Sequence, residues 1–143
     1  MKAEIISVNL SAKKGEKKRP VASGNLIKGL GIEGDAHIGS ERQLSLLASE
    51  SIQKLGGNFE FGDFAENLTT NGIDLMSLPI GAVLRLGGNA VIKIVKKGKE
   101  CHAPCEIFRK HGQCVMPTEG VFAEVVSGGI VSGGAEIVVL SLI

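Results

Sequence analysis

A chain of 143 residues with a formal net charge of +1 fits a single domain, residues 1–143, built on one core. So weak a net charge creates no field that would gather nucleic acid or an anionic membrane. No apolar run reaches the roughly 18 residues that cross a bilayer or follows a basic segment as a secretion signal does, so the expected compartment is the cytoplasm, with neither nucleic acid nor membrane as a partner.

The 20 glycines, 43% hydrophobic content and only 3% aromatic content describe a core of Val, Ile, Leu and Ala cut by tight corners, which favours short strands. Residues 3–10 (AEIISVNL) read as a strand buried on both faces. The following SAKKGEKKRP reads as an exposed basic loop in which Lys13, Lys14, Lys17, Lys18 and Arg19 surround Gly15. Two readings stand for it, a solvated hairpin tip or an anion clamp for a phosphate. Residues 21–27 form a second strand, followed by GLGIEGDAHIG over residues 29–39. Its glycines permit positive φ and close approach of backbone to a ligand, while Asp35 and His37, two apart, point the same way from an extended segment. The loop matches neither the phosphate loop with its terminal Gly-Lys-Ser/Thr nor the dinucleotide fingerprint. On its own it leaves His37 equally a turn-stabilising residue.

Residues 42–48 (RQLSLLA) read as a strand, after which Ser49 caps a short helix over residues 50–55 that Gly56-Gly57 ends. Residues 59–68 (FEFGDFAENL) set three of the five phenylalanines among carboxylates, a core plug with acidic groups outside, and Thr69-Thr70-Asn71-Gly72 reads as a turn. Residues 82–86 and 90–96 are strands joined by Gly87-Gly88-Asn89, a hairpin signal. Residues 120–126 make an apolar segment, Gly128-Gly129 and Gly133-Gly134 make turns, and residues 137–143 (IVVLSLI) close the chain as a buried strand. The fold class expected is mainly β, a closed or partly closed β-barrel with one or two short helices, since closure removes exposed strand edges.

All three cysteines, Cys101, Cys105 and Cys114, and two of the three histidines, His102 and His111, fall within residues 98–122 (GKECHAPCEIFRKHGQCVMPTEGVF). An odd cysteine count in a chain without a secretion signal favours reduced thiols over a disulfide framework. Lys96, Lys97, Lys99, Arg109 and Lys110 flank the thiols, and nearby positive charge favours the thiolate, which is both the nucleophile and the metal-binding form. Three readings compete. One is a structural zinc site on Cys101, Cys105, His111 and Cys114, whose C-x3-C-x5-H-x2-C spacing fits no common zinc module. Another is a redox pair of Cys101 and Cys105, strained by the intervening Pro104. The last is a single working cysteine that carries sulfur or ligates a transition metal held in a cofactor.

GLGIEGDAHIG, RQLSLL, GDFAENLTTNGIDL and LPIGAVLRLGG, then the cysteine stretch and EGVFAEVVSGGIVSGGAEI, stand in the order of the MOSC domain, the C-terminal module of eukaryotic molybdenum cofactor sulfurases. The chain resembles a small stand-alone, bacterial-type member. That resemblance implies a mainly β, barrel-like fold and a protein that handles molybdenum cofactor (molybdopterin), passing sulfur to it or holding its metal. It marks Cys105 as the working cysteine, either the covalent sulfur carrier or a molybdenum ligand. It marks Gly34, Asp35, His37, Arg42, Gln43, Glu66 and Asn67 as cofactor-binding, with Leu68 read as core. Arg42 suits a phosphate or carboxylate, Gln43 and Asn67 suit pterin edges, and Asp35 or Glu66 can anchor Arg42. An internal ion-pair network is the alternative for Asp35, Arg42 and Glu66. The chain carries no pyridoxal-phosphate desulfurase domain, so that cofactor is not expected in it, and sulfur transfer implies an external cysteine desulfurase as donor and a molybdoenzyme as recipient. The rival of a different class is a zinc-stabilised structural or interaction domain.

Overall fold

The computed structural model describes residues 3–14, 16–40, 43–55, 58–98 and 119–142. Among these residues it is mainly β, with one short α-helix. β1 (Glu4–Leu10) turns through the basic loop into β2 (Arg19–Val21), its antiparallel partner. β3 (Ser23–Ile27) and β4 (Gly31–Ile32) then form a hairpin in a different sheet, so the single strand expected over residues 21–27 is broken at Ala22. β5 (Leu44–Ala48) leads into α1 (Ser49–Gln53) and returns as β6 (Leu68–Asn71), which lies parallel to β5. A single 3-10 turn (Leu75–Ser77) precedes β7 (Val83–Leu86) and β8 (Ala90–Lys97), the hairpin predicted from Gly87-Gly88-Asn89. β9 (Val121–Ser127), β10 (Gly129–Ser132) and β11 (Ile137–Ser141) complete the chain.

The strands form an eight-stranded sheet in the order β11-β7-β8-β9-β5-β6-β1-β2 and a three-stranded sheet in the order β10-β3-β4. No closed barrel forms among the described residues. The long sheet nevertheless curls until the start of β11 meets β1: Ile5 N donates to Ala135 O at 2.8 Å, Ile137 N to Ala3 O at 2.9 Å, and Glu4 bridges Glu136. Curling encloses the aliphatic core, where Ile5, Val8, Leu44, Leu46, Leu84 and Ile92 lose all exposure. Each such side chain contributes about 1.5–3 kcal/mol by leaving water.

β5 is the hinge of this arrangement, because all of its residues are buried. Successive side chains of a strand point to opposite faces. Leu44 and Leu46 enter the large core, while Leu47 joins Ile52 of α1, Phe64 and Phe122 in a smaller cluster on the other side. Phe59 lies against Phe64 with ring centroids 5.0 Å apart, so the stretch plugs the core through these two, but Phe61 is exposed and Asp63 and Glu66, expected outside, are buried.

Several local expectations are corrected. Thr69, Thr70 and Asn71 are strand, not turn, because β1 and β5 flank them and satisfy their backbone; the turn is left to Gly72, at φ 81°. Ser49 is the first residue of α1 rather than its cap, a place taken by Ala48 without a side-chain bond. β11 is an edge strand with Val139 and Leu140 exposed, where a buried strand was expected. Among the described residues no helix is long and apolar enough to cross a membrane.

Candidate functional site

The largest departure from expectation lies in the basic loop. Lys18, read as part of an exposed loop that is either a solvated tip or an anion clamp, is buried, and its side chain has no exposure at all. Burying an ammonium costs several kcal/mol unless it is paired. Here Nζ donates to Asp35 Oδ1 at 2.8 Å and to Ser11 Oγ at 3.1 Å, and lies 3.4 Å from His37 Nδ1. The backbone amides of Ser11 and His37 donate to the two oxygens of the same carboxylate, at 3.2 and 3.1 Å. Burial pushes the Asp35 carboxyl up, but the His37 and Lys18 groups gathered on it more than reverse this and hold it well below the usual carboxylate range.

The glycine-rich loop makes this possible by turning sharply before Asp35. Gly34 takes φ 86°, a conformation that glycine adopts without penalty, and Asp35 N then closes on Ile32 O at 3.1 Å. Ala36 N donates to Ser11 O at 2.8 Å, tying the loop to the end of β1. His37, with its ring 18% exposed, has its backbone carbonyl held by Ser40 Oγ at 2.7 Å. The structure thus brings together Asp35 and His37 with Ser11, which sequence reasoning had not marked, and with Lys18, which it had read only as one cation of the basic loop. The one available signal for Lys18 was its place beside Pro20 and the returning strand, rather than at the Gly15 tip.

Glu66 and Asn67 belong to a second buried network. Glu66 Oε2 accepts from Gly62 N and Thr69 Oγ1, at 3.1 and 2.8 Å, and Oε1 accepts from Phe64 N at 3.2 Å. Burial without a cation still raises its pKa, those bonds offsetting part of the rise. Asn67 Oδ1 accepts from the backbone and hydroxyl of Ser45, and its Nδ2 donates to Asn9 O at 3.2 Å. Gln43 braces the loop below, donating to Gly29 O at 3.3 Å and accepting from Val125 N at 3.0 Å. The two networks meet where Lys18 N donates to Gly62 O at 2.8 Å. A side chain at Gly62, at φ 89°, would overlap the Lys18 carbonyl oxygen.

Arg42, Cys101, Cys105, His111 and Cys114 lie outside the described residues. The root of the cysteine stretch is described: Gly98 N donates to Gly120 O at 2.7 Å, so residues 99–118 leave from the end of β8 and return to the start of its neighbour β9. Glu119 Oε1 accepts from Ser51 Oγ at 2.9 Å and Lys54 Nζ at 3.1 Å, and the Ser51 bond leads the effects that lower its pKa. Gln43 and the glycine-rich loop stand before the start of β5, whereas α1 and Glu119 stand beyond its end.

Two cavities flank these ends. Beside α1, a cleft of about 680 Å³ is lined by Glu50, Ser51, Lys54, Asp74, Met76 and Glu119, so carboxylates outnumber the cation on its wall. At the other end, a cavity of about 310 Å³ is lined by Leu10, Ser11, Ala12, Glu16, Lys17 and Arg19. An anion is favoured in the second and repelled from the first. Among the described residues no group of three or more His, Cys, Asp or Glu side chains is placed to hold a metal ion.

A model of the MOSC domain family matches residues 33–138. Among solved structures, the YuaD protein from Bacillus subtilis is similar with a TM-score of 0.80 at 19% identity, covering 96% of this chain and 94% of that one. YiiM from Geobacillus stearothermophilus gives 0.74 at 22% identity, covering 97% and 75%, and YiiM from Escherichia coli gives 0.71 at 22% identity, covering 99% and 70%. At these identities the likeness is one of fold. No curated protein matches the chain significantly.

Proposed function

Because the chain belongs to the MOSC domain family, its model matching residues 33–138, we propose that the protein binds molybdenum cofactor or a related molybdopterin and uses Cys105 as a thiolate toward it. The observation that carries this reading is the clamp of Lys18 and Asp35. It ties the glycine-rich loop to the basic β1–β2 hairpin, where Lys17 and Arg19, the chain neighbours of Lys18, line a cavity together with Ser11, the acceptor of Lys18. The cofactor ends in a phosphate and presents a soft metal-sulfur centre at the other end. Its phosphate fits the cavity of Lys17 and Arg19, and Arg42 would be a third cation for it. The acidic cleft beside α1 does not fit that phosphate.

Glu66, Asn67 and Gln43 serve this site by holding its walls, since their polar atoms are engaged with backbone, Ser45 and Thr69. Cys105 stands seven residues beyond Gly98, a tether of roughly 24 Å at full extension, longer than the roughly 17 Å that the five residues of β5 rise. Chain length therefore lets the thiol serve a cofactor whose phosphate lies at the far end of β5.

In the sulfur-carrying version, Cys105 Sγ attacks the terminal sulfur of a donor's protonated persulfide. A new S–S bond forms as the donor's breaks, the donor leaves as a thiolate, and no external oxidant is consumed. A cysteine desulfurase would supply that persulfide, and a second thiol, oxidised to a disulfide with Cys105 as the outer sulfur leaves as sulfide, would supply the two electrons for passing it to a cofactor destined for a molybdoenzyme. In the binding version, the same sulfur is a ligand to molybdenum.

Anaerobic native mass spectrometry of the freshly purified protein and of Cys105→Ser, with metal analysis of the same samples, tests the proposal. A molybdopterin mass or an added sulfur that depends on Cys105 is the expected result. Zinc at one per chain, lost in the variant together with stability, would replace it with a structural zinc site on Cys101, Cys105, His111 and Cys114.

A further inference from the structure

We propose that Lys18 is a positioning residue that fixes His37 in the tautomer protonated at Nε2, making the ring a hydrogen-bond donor to an anion bound at the β1–β2 end of the domain. The reasoning starts from proton direction. An ammonium can only donate. Its neighbours here are Asp35 Oδ1 at 2.8 Å, Ser11 Oγ at 3.1 Å and His37 Nδ1 at 3.4 Å. Ser11 spends its own proton on Lys13 O, at 3.1 Å, so its oxygen is an acceptor toward Lys18. Nδ1 can face the ammonium only as a lone pair, because a proton there would meet another proton. Among the described residues the competing acceptor for an Nδ1 proton is Asp35 Oδ2, which at 3.8 Å lies farther off than the ammonium and beyond hydrogen-bond reach.

With Nδ1 turned inward onto Lys18, the ring carries its proton on Nε2, at the opposite edge, and the side chain as a whole is 18% exposed. The backbone on either side holds this edge in place. His37 N is fixed to Asp35 Oδ2 at 3.1 Å and His37 O to Ser40 Oγ at 2.7 Å, which anchors the main chain from which the ring projects. Lys17 and Arg19 flank Lys18 in the chain and line the adjoining cavity, supplying the positive field, while His37 supplies a directed donor. That His37 meets the phosphate of the cofactor rests on the function proposed above, whereas its tautomer is set by Lys18 alone.

The test is a two-bond 1H–15N correlation spectrum of the ¹⁵N-labelled full chain, with His37 assigned by comparison with His37→Gln. The expected pattern is that of a neutral ring protonated at Nε2, and a ring protonated at Nδ1 overturns the proposal. Lys18→Met leaves Asp35 unpaired and risks unfolding, so the paired variant Lys18→Met with Asp35→Asn supplies the second measurement. In that folded variant the expected result is a mixture of tautomers; an unchanged Nε2–H pattern overturns the role of Lys18. Titration with inorganic phosphate should move the His37 signals, and signals that stay still overturn the donor role. His37→Phe should weaken phosphate binding roughly tenfold or more, whereas His37→Gln, which keeps an N–H at the same edge, should stay within about threefold of wild type. Phosphate binding through His37 in a protein that retains no molybdopterin would overturn the proposed function and leave this assignment standing.

Discussion

Lys18 Nζ and Asp35 Oδ1, separated by 17 residues in the chain, meet at 2.8 Å with neither side chain exposed. Removing one member of such a pair leaves a buried charge without its partner, which costs about 3–5 kcal/mol, whereas removing both costs much less. Lys18→Met should therefore destabilise the domain by that amount, and adding Asp35→Asn should recover most of it. Urea unfolding of the two single variants and the double variant measures the coupling.

Acid should weaken the same clamp. The Asp35 carboxyl is held below its ordinary value of 3.8, so the folded state binds its proton less readily than the unfolded chain does. Its contribution to stability is complete above that value and is lost progressively as pH falls below it. The double variant lacks the group, so the stability difference between wild type and double variant should shrink as the solution is taken from pH 5 towards pH 3, read by urea midpoints at each pH.

Glu66 carries the opposite sign. Burial raises its pKa above 4.5, so its contribution is greatest below that value and fades as pH rises through the elevated folded value. Glu66→Gln removes this dependence but sets an amide N–H against the donors Gly62 N and Thr69 Oγ1, or against Phe64 N if the amide is turned. The variant should be less stable by about 1–3 kcal/mol, with the gap to wild type narrowing toward higher pH.

Gly62 and Gly34 share a left-handed backbone but differ in surroundings. At Gly34 a methyl group would enter open space, so Gly34→Ala should cost about 1–2 kcal/mol, the backbone penalty alone. At Gly62 the same methyl would overlap the Lys18 carbonyl oxygen, and because that carbonyl belongs to the clamp, it cannot easily yield. Gly62→Ala should exceed Gly34→Ala in cost and should also disturb the His37 ring signals, which Gly34→Ala would move only as a neighbour. Thermal unfolding and imidazole NMR on the two variants check both halves.

What the sequence disclosed depended on whether the signal was local. The Gly87-Gly88-Asn89 hairpin and β1 were legible because turn chemistry and apolar patterning act over a few residues. Asp35 and His37 were marked by the MOSC-like pattern of the glycine-rich loop, their spacing alone leaving His37 equally a turn-stabilising residue. Lys18 was not, since a lysine in a run of lysines reads as solvated until a carboxylate from another loop is placed on it. Thr69, Thr70 and Asn71 have turn-prone composition, and the neighbours that make them strand come from residues 4–8 and 46–48. Glu66 and Asn67 were recognised as special residue types, but their service to the backbone emerges only when the 62–66 turn brings its amides to them.

The bond from Gly98 N to Gly120 O seals the β8–β9 pair ahead of the cysteine stretch, so the register of the sheet is settled without it. Lengthening a closed loop is cheap, about 0.6 kcal/mol for each doubling. Evolution can therefore rewrite the cysteine stretch, changing its thiols, charges and length, while the scaffold stays the same. Within this fold that stretch is a removable part, and descendants of one domain can diverge in what it carries before they diverge in shape.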